Sequence, residues 1–234
     1  MTDFPPVAVK AWGERACFTR PEMKVERVSY PVITPSAARG VLEAIFWKPE
    51  FIWQVREIWV LKPIRHFSMV RNEVNSVASE KSARAWAQAG GGYFADEDRA
   101  QRHTLGLRDV AYIIRADVEL KAHATDVVAK YRDQFRRRVE RGQCYHRPYL
   151  GCREFAADFG PLDGSEKPIE VTDDLGRMLL DQVFEPAVGG LASWRAHGGG
   201  GAHVVQGVVR PLFFLARLES GVLKVPRHLN QREG

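Results

Sequence analysis

Residues 34–63 read TPSAARGVLEAIFWKPEFIWQVREIWVLKP. The first half is a helix. Thr34 is an N-cap whose hydroxyl accepts from an amide of the first turn, and Pro35 suits the first helical position, where its missing N–H costs nothing. Ala37, Ala38, Val41, Leu42 and Ile45 then recur at helical spacing, with Arg39 and Glu43 on the other side. Lys48-Pro49 ends the helix. Residues 51–63 are dense in β-branched and aromatic side chains and read as a strand.

On the N-terminal side, residues 7–12 (VAVKAW) form a short strand stopped by Gly13. A polar excursion through Arg15, Arg20, Lys24 and Arg27 follows. On the C-terminal side, residues 64–70 either continue the second strand or return as a second arm. The pattern then weakens, and Gly90-Gly91-Gly92 marks a mobile insertion near residues 72–107. Residues 108–122 (RDVAYIIRADVELKA) are a further strand. A second helix starts at Thr125 or Asp126, either a good N-cap, and stops at Gly142. Residues 149–155 are another strand or a glycine-rich loop. Strand, helix, strand, strand, helix, strand is the split βαβ order of ferredoxin-like folds. RNA-recognition modules use it with an open sheet face for bases. From residue 156, Pro161, Asp163-Gly164-Ser165 and Pro168 read as a linker, and residues 181–217 as strands with a flexible turn at Gly198–Gly201. The expected fold is α+β: a ferredoxin-like, RRM-like domain over 1–155 and a small antiparallel β-sheet domain over 156–234.

Net charge is +5, a mild basic excess that fits a polyanionic partner but does not identify one. Cys17, Cys144 and Cys152 have no metal-knuckle spacing and read as reduced thiols of a cytoplasmic protein. Met1 to Pro6 lack the basic and apolar pattern of a secretory signal. The most apolar stretch, 204–218, is broken by Gln206, Arg210 and Pro211, so no membrane span is expected. His197 and His203 flank the glycine run, but two His without a third ligand favour a turn over a metal clip. No phosphate-binding loop and no cofactor motif is present.

The second helix is amphipathic in an unusual way. At 100° per residue, Val127, Val128, Tyr131, Phe135 and Val139 share one stripe. Lys130, Gln134, Arg137 and Arg141 share a neighbouring face, with Arg138 at its border. No acidic partner falls on that face, so it reads as a phosphate track as readily as a solvated surface. Arg15, Arg20, Arg39 and Arg153 are further candidates for touching phosphate.

Several stretches resemble one family. They are residues 16–22 (ACFTRPE), 36–49 (SAARGVLEAIFWKP), Lys62-Pro63-Ile64, Arg71-Asn72-Glu73, 101–105 (QRHTL) and 149–155 (YLGCREF). The chain is similar to the Dvulg, or d-type, subtype of the fifth Cas protein family, found in type I-C CRISPR systems. The likeness covers most of residues 7–155. It implies recognition of the repeat hairpin in CRISPR precursor RNA and metal-independent cleavage below the stem. The product's 5′ handle would stay bound, and the chain would join the effector complex beside its backbone-forming and large subunits.

Metal-free cleavage uses the substrate's own 2′-OH as nucleophile. It needs a base, an acid for the leaving 5′-oxygen and a cation for the phosphorane. The family places a Tyr near the end of the first helix and a Lys-His pair on the second. With Glu140-Arg141-Gly142 as anchor, these positions are Phe46, Lys130 and Tyr131. Phe46 has no hydroxyl, and Tyr131 falls on the apolar stripe, so only Lys130 transfers cleanly, as phosphorane stabiliser. His123, Tyr145, His146 and Tyr149 flank the helix as other proton-transfer candidates. Three readings follow: an endoribonuclease, a non-catalytic RNA-binding subunit, and a general nucleic-acid binder extending to duplex DNA.

Overall fold

The computed structural model describes residues 5–23, 25–77, 79–198 and 201–227. Expectations for residues 1–4, Lys24 and the centre of the 198–201 turn lie outside these. Among the described residues the chain is α+β, with three α-helices and one large, mainly antiparallel sheet.

The first helix forms as its sequence dictates. It is α1 (Pro35–Ile45), with the Thr34 side chain accepting from the Ala37 amide. The strand after it is β3 (Phe51–Val60). The first strand, β1 (Val7–Ala16), is not stopped by Gly13 but runs through it. Gly13 serves a close approach instead: a Cβ there would lie 2.7 Å from Leu150 Cδ1 and 3.0 Å from the Ala156 carbonyl.

The expected insertion is ordered strand and helix. β4 (His66–Val74) pairs along the first half of β5 (Arg99–Leu120), and α2 (Glu80–Ala89) caps the hairpin with Ser79 as N-cap. It therefore returns as a second arm rather than extending β3. β2 (Arg27–Val28) lies parallel on the same half of β5. The second helix, α3 (Val128–Glu140), begins later than expected, at a Val127 N-cap without a side-chain bond. Asp126 is engaged elsewhere, in an ion pair with Lys130 at 2.7 Å. Residues 149–155 are a loop with one isolated bridge, Tyr149 to Ala156, and β6 (Asp158–Gly160) follows inside the expected linker. The C-terminal strands are β7 (Asp173–Pro186), β8 (Ala192–Gly198), β9 (Gly201–Glu219) and β10 (Val222–Lys224). The strand order is β6-β1-β5-β3-β10-β9-β7, with β8 on β9. β10 bonds to both β3 and β9, so the C-terminal ribbon continues the N-terminal sheet.

Phe51 and Trp53, two apart on one face of β3, carry both long helices. Tyr131 packs on Phe51 and Phe135 on Trp53, with ring centroids 5.1 and 4.7 Å apart. Trp53 Nε1 donates to the Phe46 carbonyl at the end of α1, 2.9 Å away. At the other border of α1, Arg39 pairs with the buried Asp181 at a bulge of β7.

Removing Asp181 would leave the largely buried Arg39 with Glu43 as its remaining countercharge. Asp181→Ala is expected to destabilise by about 1–3 kcal/mol, read from urea denaturation. Glu80→Ala, at the exposed Glu80–Arg84 pair of α2, should leave the midpoint unchanged.

Candidate active site and nucleic-acid interface

The end of α1 is closed by groups that follow it in space, not in sequence. Arg138 donates to the Ile45 carbonyl at 2.9 Å and lies over the Phe46 ring at 5.2 Å. The amides of Tyr145 and His146 both donate to Ala44, at 2.8 and 3.3 Å. Phe46 beneath them is 1% exposed. It is a core residue, 5.5 Å from Phe51. Arg138 thus faces inward as a helix clamp and leaves the outer row.

At the other end of α3 the picture differs. The Lys121 amide donates to the Glu50 carbonyl at 2.9 Å, joining the turn before α3 to the turn before β3. Glu50, Asp126, Lys130 and Tyr131 thereby interact as one electrostatic patch. Tyr131 is 3% exposed, and its hydroxyl has no hydrogen-bond partner. Glu50 Oε2 and His123 Nε2 are buried and equally unpartnered. Burial first, then the charges of Glu50 and Asp126, hold the Tyr131 phenol above its ordinary range. The Asp126 hydrogen bond does the same for the exposed Lys130. Both stay protonated at neutral pH, so Tyr131 can donate a proton but is no base. The base candidates here are Glu50 and His123.

His146 is exposed and lies beyond the opposite end of α3. From Lys130 to Glu140 the helix rises about 15 Å, so the structure does not bring His146 and Lys130 together. Phe46 and Tyr131 do meet, through Phe51. Of the expected apolar stripe, Val127 is 68% exposed, because it stands before the first turn, and Arg132 is buried instead. The face around Lys130 also has the acidic partner, Asp126, that it was expected to lack.

Gln134 is half-buried on α3, while Arg137 and Arg141 are exposed. Arg153 is exposed in its loop. Arg15 lies over Phe67 at 5.3 Å and Arg20 over Tyr30 at 4.5 Å. Arg39 is held by Asp181 and Glu43. His197 packs on Trp47, and the β8–β9 register puts it opposite Ala202 while His203 faces Ala196. The two imidazoles therefore point to opposite faces of the ribbon and share no ion.

Sequence reading missed two features. One is Glu50, which no periodicity marks. The other is a ring of ion pairs that ties three separate stretches of the chain together. Arg27 meets Glu73 at 3.3 Å and Glu154 at 3.0 Å, and Arg71 meets the same two carboxylates. Beside this ring a cleft of about 300 Å³ opens at the start of α1, lined by Phe18, Thr19, Ser36, Gly40, Tyr149 and Gly151.

A family described as CRISPR-associated protein (Cas_Cas5), of the Cas5d type, matches residues 7–226. Two curated relatives bear the name CRISPR pre-crRNA endoribonuclease Cas5d. That from Thermus thermophilus is 50% identical over 93% of this chain and 90% of its own. That from Mannheimia succiniciproducens is 41% identical over 94% of each. A crystal structure titled as a CRISPR-associated protein shares the fold at TM-score 0.60 and 21% identity, covering 94% of this chain and 91% of that one. A functionally uncharacterized protein from Streptococcus mutans also has TM-score 0.60, at 19% identity, covering 94% and 92%.

An unpartnered buried hydroxyl contributes nothing to folding. Tyr131→Phe is expected to keep or slightly raise the melting temperature. A fall of several degrees would mean that the hydroxyl has a partner.

Proposed function

The chain belongs to the Cas5d family of CRISPR-associated proteins, and from that membership we propose that it is an endoribonuclease acting on CRISPR precursor RNA. The observation that carries this is the match, at 50% and 41% identity over nearly the full chain, to relatives named for that activity. The protein cuts the repeat below its hairpin by attack of the 2′-OH, stays on the 5′ handle and enters the type I-C effector complex beside the backbone-forming and large subunits. It works in the cytoplasm; among the described residues no helix is long and apolar enough to cross a membrane.

The strand order β6-β1-β5-β3, with α1 and α3 between strands, supports a ferredoxin-like unit over residues 1–155 that carries the β4–α2 arm and borrows its fourth strand, β6, from just beyond that boundary. Strands β7 to β10 make the small β unit in the remainder of 156–234.

At the site, Lys130 stabilises the phosphorane. Its cation is maintained by Asp126, and its 59% exposed side chain can reach a phosphate. Tyr131 stays protonated and is the proton donor toward the leaving oxygen. Glu50 or His123 takes the 2′ proton. Arg137, Arg141, Gln134 and Arg153, with Arg15 and Arg20, hold the phosphates on either side. The burial of Phe46 and Tyr131 favours a second reading, an RNA-binding subunit that no longer cuts.

Repeat RNA incubated in EDTA, beside a copy with a 2′-deoxy at the scissile position, separates the two. Cutting lost only in the deoxy copy is expected. Tight binding of both without cutting would make the chain a structural subunit. Lys130→Ala should lower cutting by 10²–10³-fold with binding kept. Because Lys130 and Tyr131 are held protonated beyond their ordinary values, cutting above background should stay level up to about pH 10. A decline starting near pH 8 would remove both from the mechanism. Arg137→Ala and Arg141→Ala should each flatten the salt dependence of binding, by about 0.7–0.9 in log–log slope for every phosphate no longer neutralised.

A further inference from the structure

Two of the three thiols meet at the end of β1. Cys17 donates its amide to the Leu150 carbonyl at 3.0 Å, which draws the 149–155 loop onto this strand. The approach is so close that a Cβ on Gly151 would lie 2.0 Å from the Cys17 carbonyl oxygen, and Gly151 adopts φ +86° to make the turn. Cys152 follows, with its sulfur 3.5 Å from the same carbonyl oxygen. Thr19 Oγ1 sits between the two sulfurs, 3.6 Å from Cys17 and 4.0 Å from Cys152. Arg27 Nη1 points at the Cys152 sulfur from 3.5 Å.

The two thiols differ in kind. Cys17 is fully buried, while Cys152 is partly open to solvent. The hydrogen bond from Cys17, with help from the Arg27 charge and against the cost of burial, brings the Cys152 thiol down to about 6. The same hydrogen bond and burial push Cys17 up. Arg27 is fixed by Glu73 and Glu154, so the cation is in place before any reaction.

We propose that Cys17 and Cys152 are a hydroperoxide-responsive thiol pair that closes to a disulfide, tying the end of β1 to the 149–155 loop. The Cys152 thiolate attacks one peroxide oxygen. The O–O bond breaks, hydroxide or alkoxide leaves, and Cys152 becomes a sulfenic acid. The Cys17 sulfur then attacks the Cys152 sulfur. The S–O bond breaks, and water leaves with the Cys17 proton. One peroxide is reduced and two thiols are oxidised. The disulfide fixes the Gly151 turn that lines the cleft at α1, and it frees Arg27 from the thiolate. Nothing in this depends on RNA cleavage.

The test uses the full-length reduced protein, with the exposed Cys144 as internal control. Hydrogen peroxide, an iodoacetamide quench and peptide mapping should give a Cys17–Cys152 cross-link that dithiothreitol reverses, with Cys144 alkylated. Cys17→Ala should abolish the cross-link and leave a Cys152 sulfenic acid that dimedone traps, formed more slowly because the Cys17 hydrogen bond to the thiolate is gone and only Arg27 and Thr19 remain. Recovery of both thiols alkylated after peroxide, or oxidation of Cys144 ahead of Cys152, would overturn the proposal. Should the variant misfold, the wild-type chain still decides. At pH 6, iodoacetamide should label native Cys152 about tenfold faster than Cys144, and equal rates would sink the assignment of Cys152 as attacking thiolate.

Discussion

Phe51 and Trp53 hold both long helices to the sheet, and most of the molecule's geometry follows from that packing. Phe46, Tyr131 and Phe135 close around them, with Trp53 bonded to the last turn of α1. Aromatic pairs at these separations add about 0.5–1.5 kcal/mol each beyond the area they bury. The helices have no freedom to slide, because α3 meets both rings and Phe46 at the end of α1 packs on one and accepts a hydrogen bond from the other. The entrances to β3 and α3 are pinned together by the Lys121–Glu50 backbone bond, and this sets the distance between the groups at that corner.

The same packing shapes the chemistry. Phe46 and Tyr131 both lie against Phe51, inside the core. What remains at the surface is a lysine with its carboxylate, over a phenol that keeps its proton. A site of this composition is strong in positive charge and in acid, with the unpartnered Glu50 Oε2 and His123 Nε2 as its proposed bases. The division of labour follows burial rather than residue type: Lys130 is exposed and charged, and Tyr131 is enclosed and neutral.

The sequence made some of this legible and hid the rest for physical reasons. α1 is readable because its cap, its proline and its apolar spacing agree, and the Thr34 cap bond is where that agreement places it. Gly142 as the stop of α3 is readable for the same reason: its φ of +61° suits glycine. β4 and α2 are not, since they form an arm whose residues are exposed or half-buried and never buried, so no core period is written into them. Gly13 reads as a stop because the signal for a break and the signal for close packing are the same residue. Arg138 and Arg39 read as surface charge because a carbonyl at the end of a distant helix and an aspartate at a bulge of β7 leave no local trace. The ring formed by Arg27, Arg71, Glu73 and Glu154 is visible only as unrelated charges until the chain is folded.

The three residues of β10 have a consequence for synthesis. Val222 stands opposite Trp59 on one side and Glu219 on the other, so a segment made after the other described strands fills the gap between strands made early and late. Until it emerges, β3 has helices on its face but a bare edge, the kind of edge on which nascent chains pair with the wrong neighbour. The sheet is closed by the last-made of its described strands, and a chain halted before Val222 is left with an open, adhesive edge.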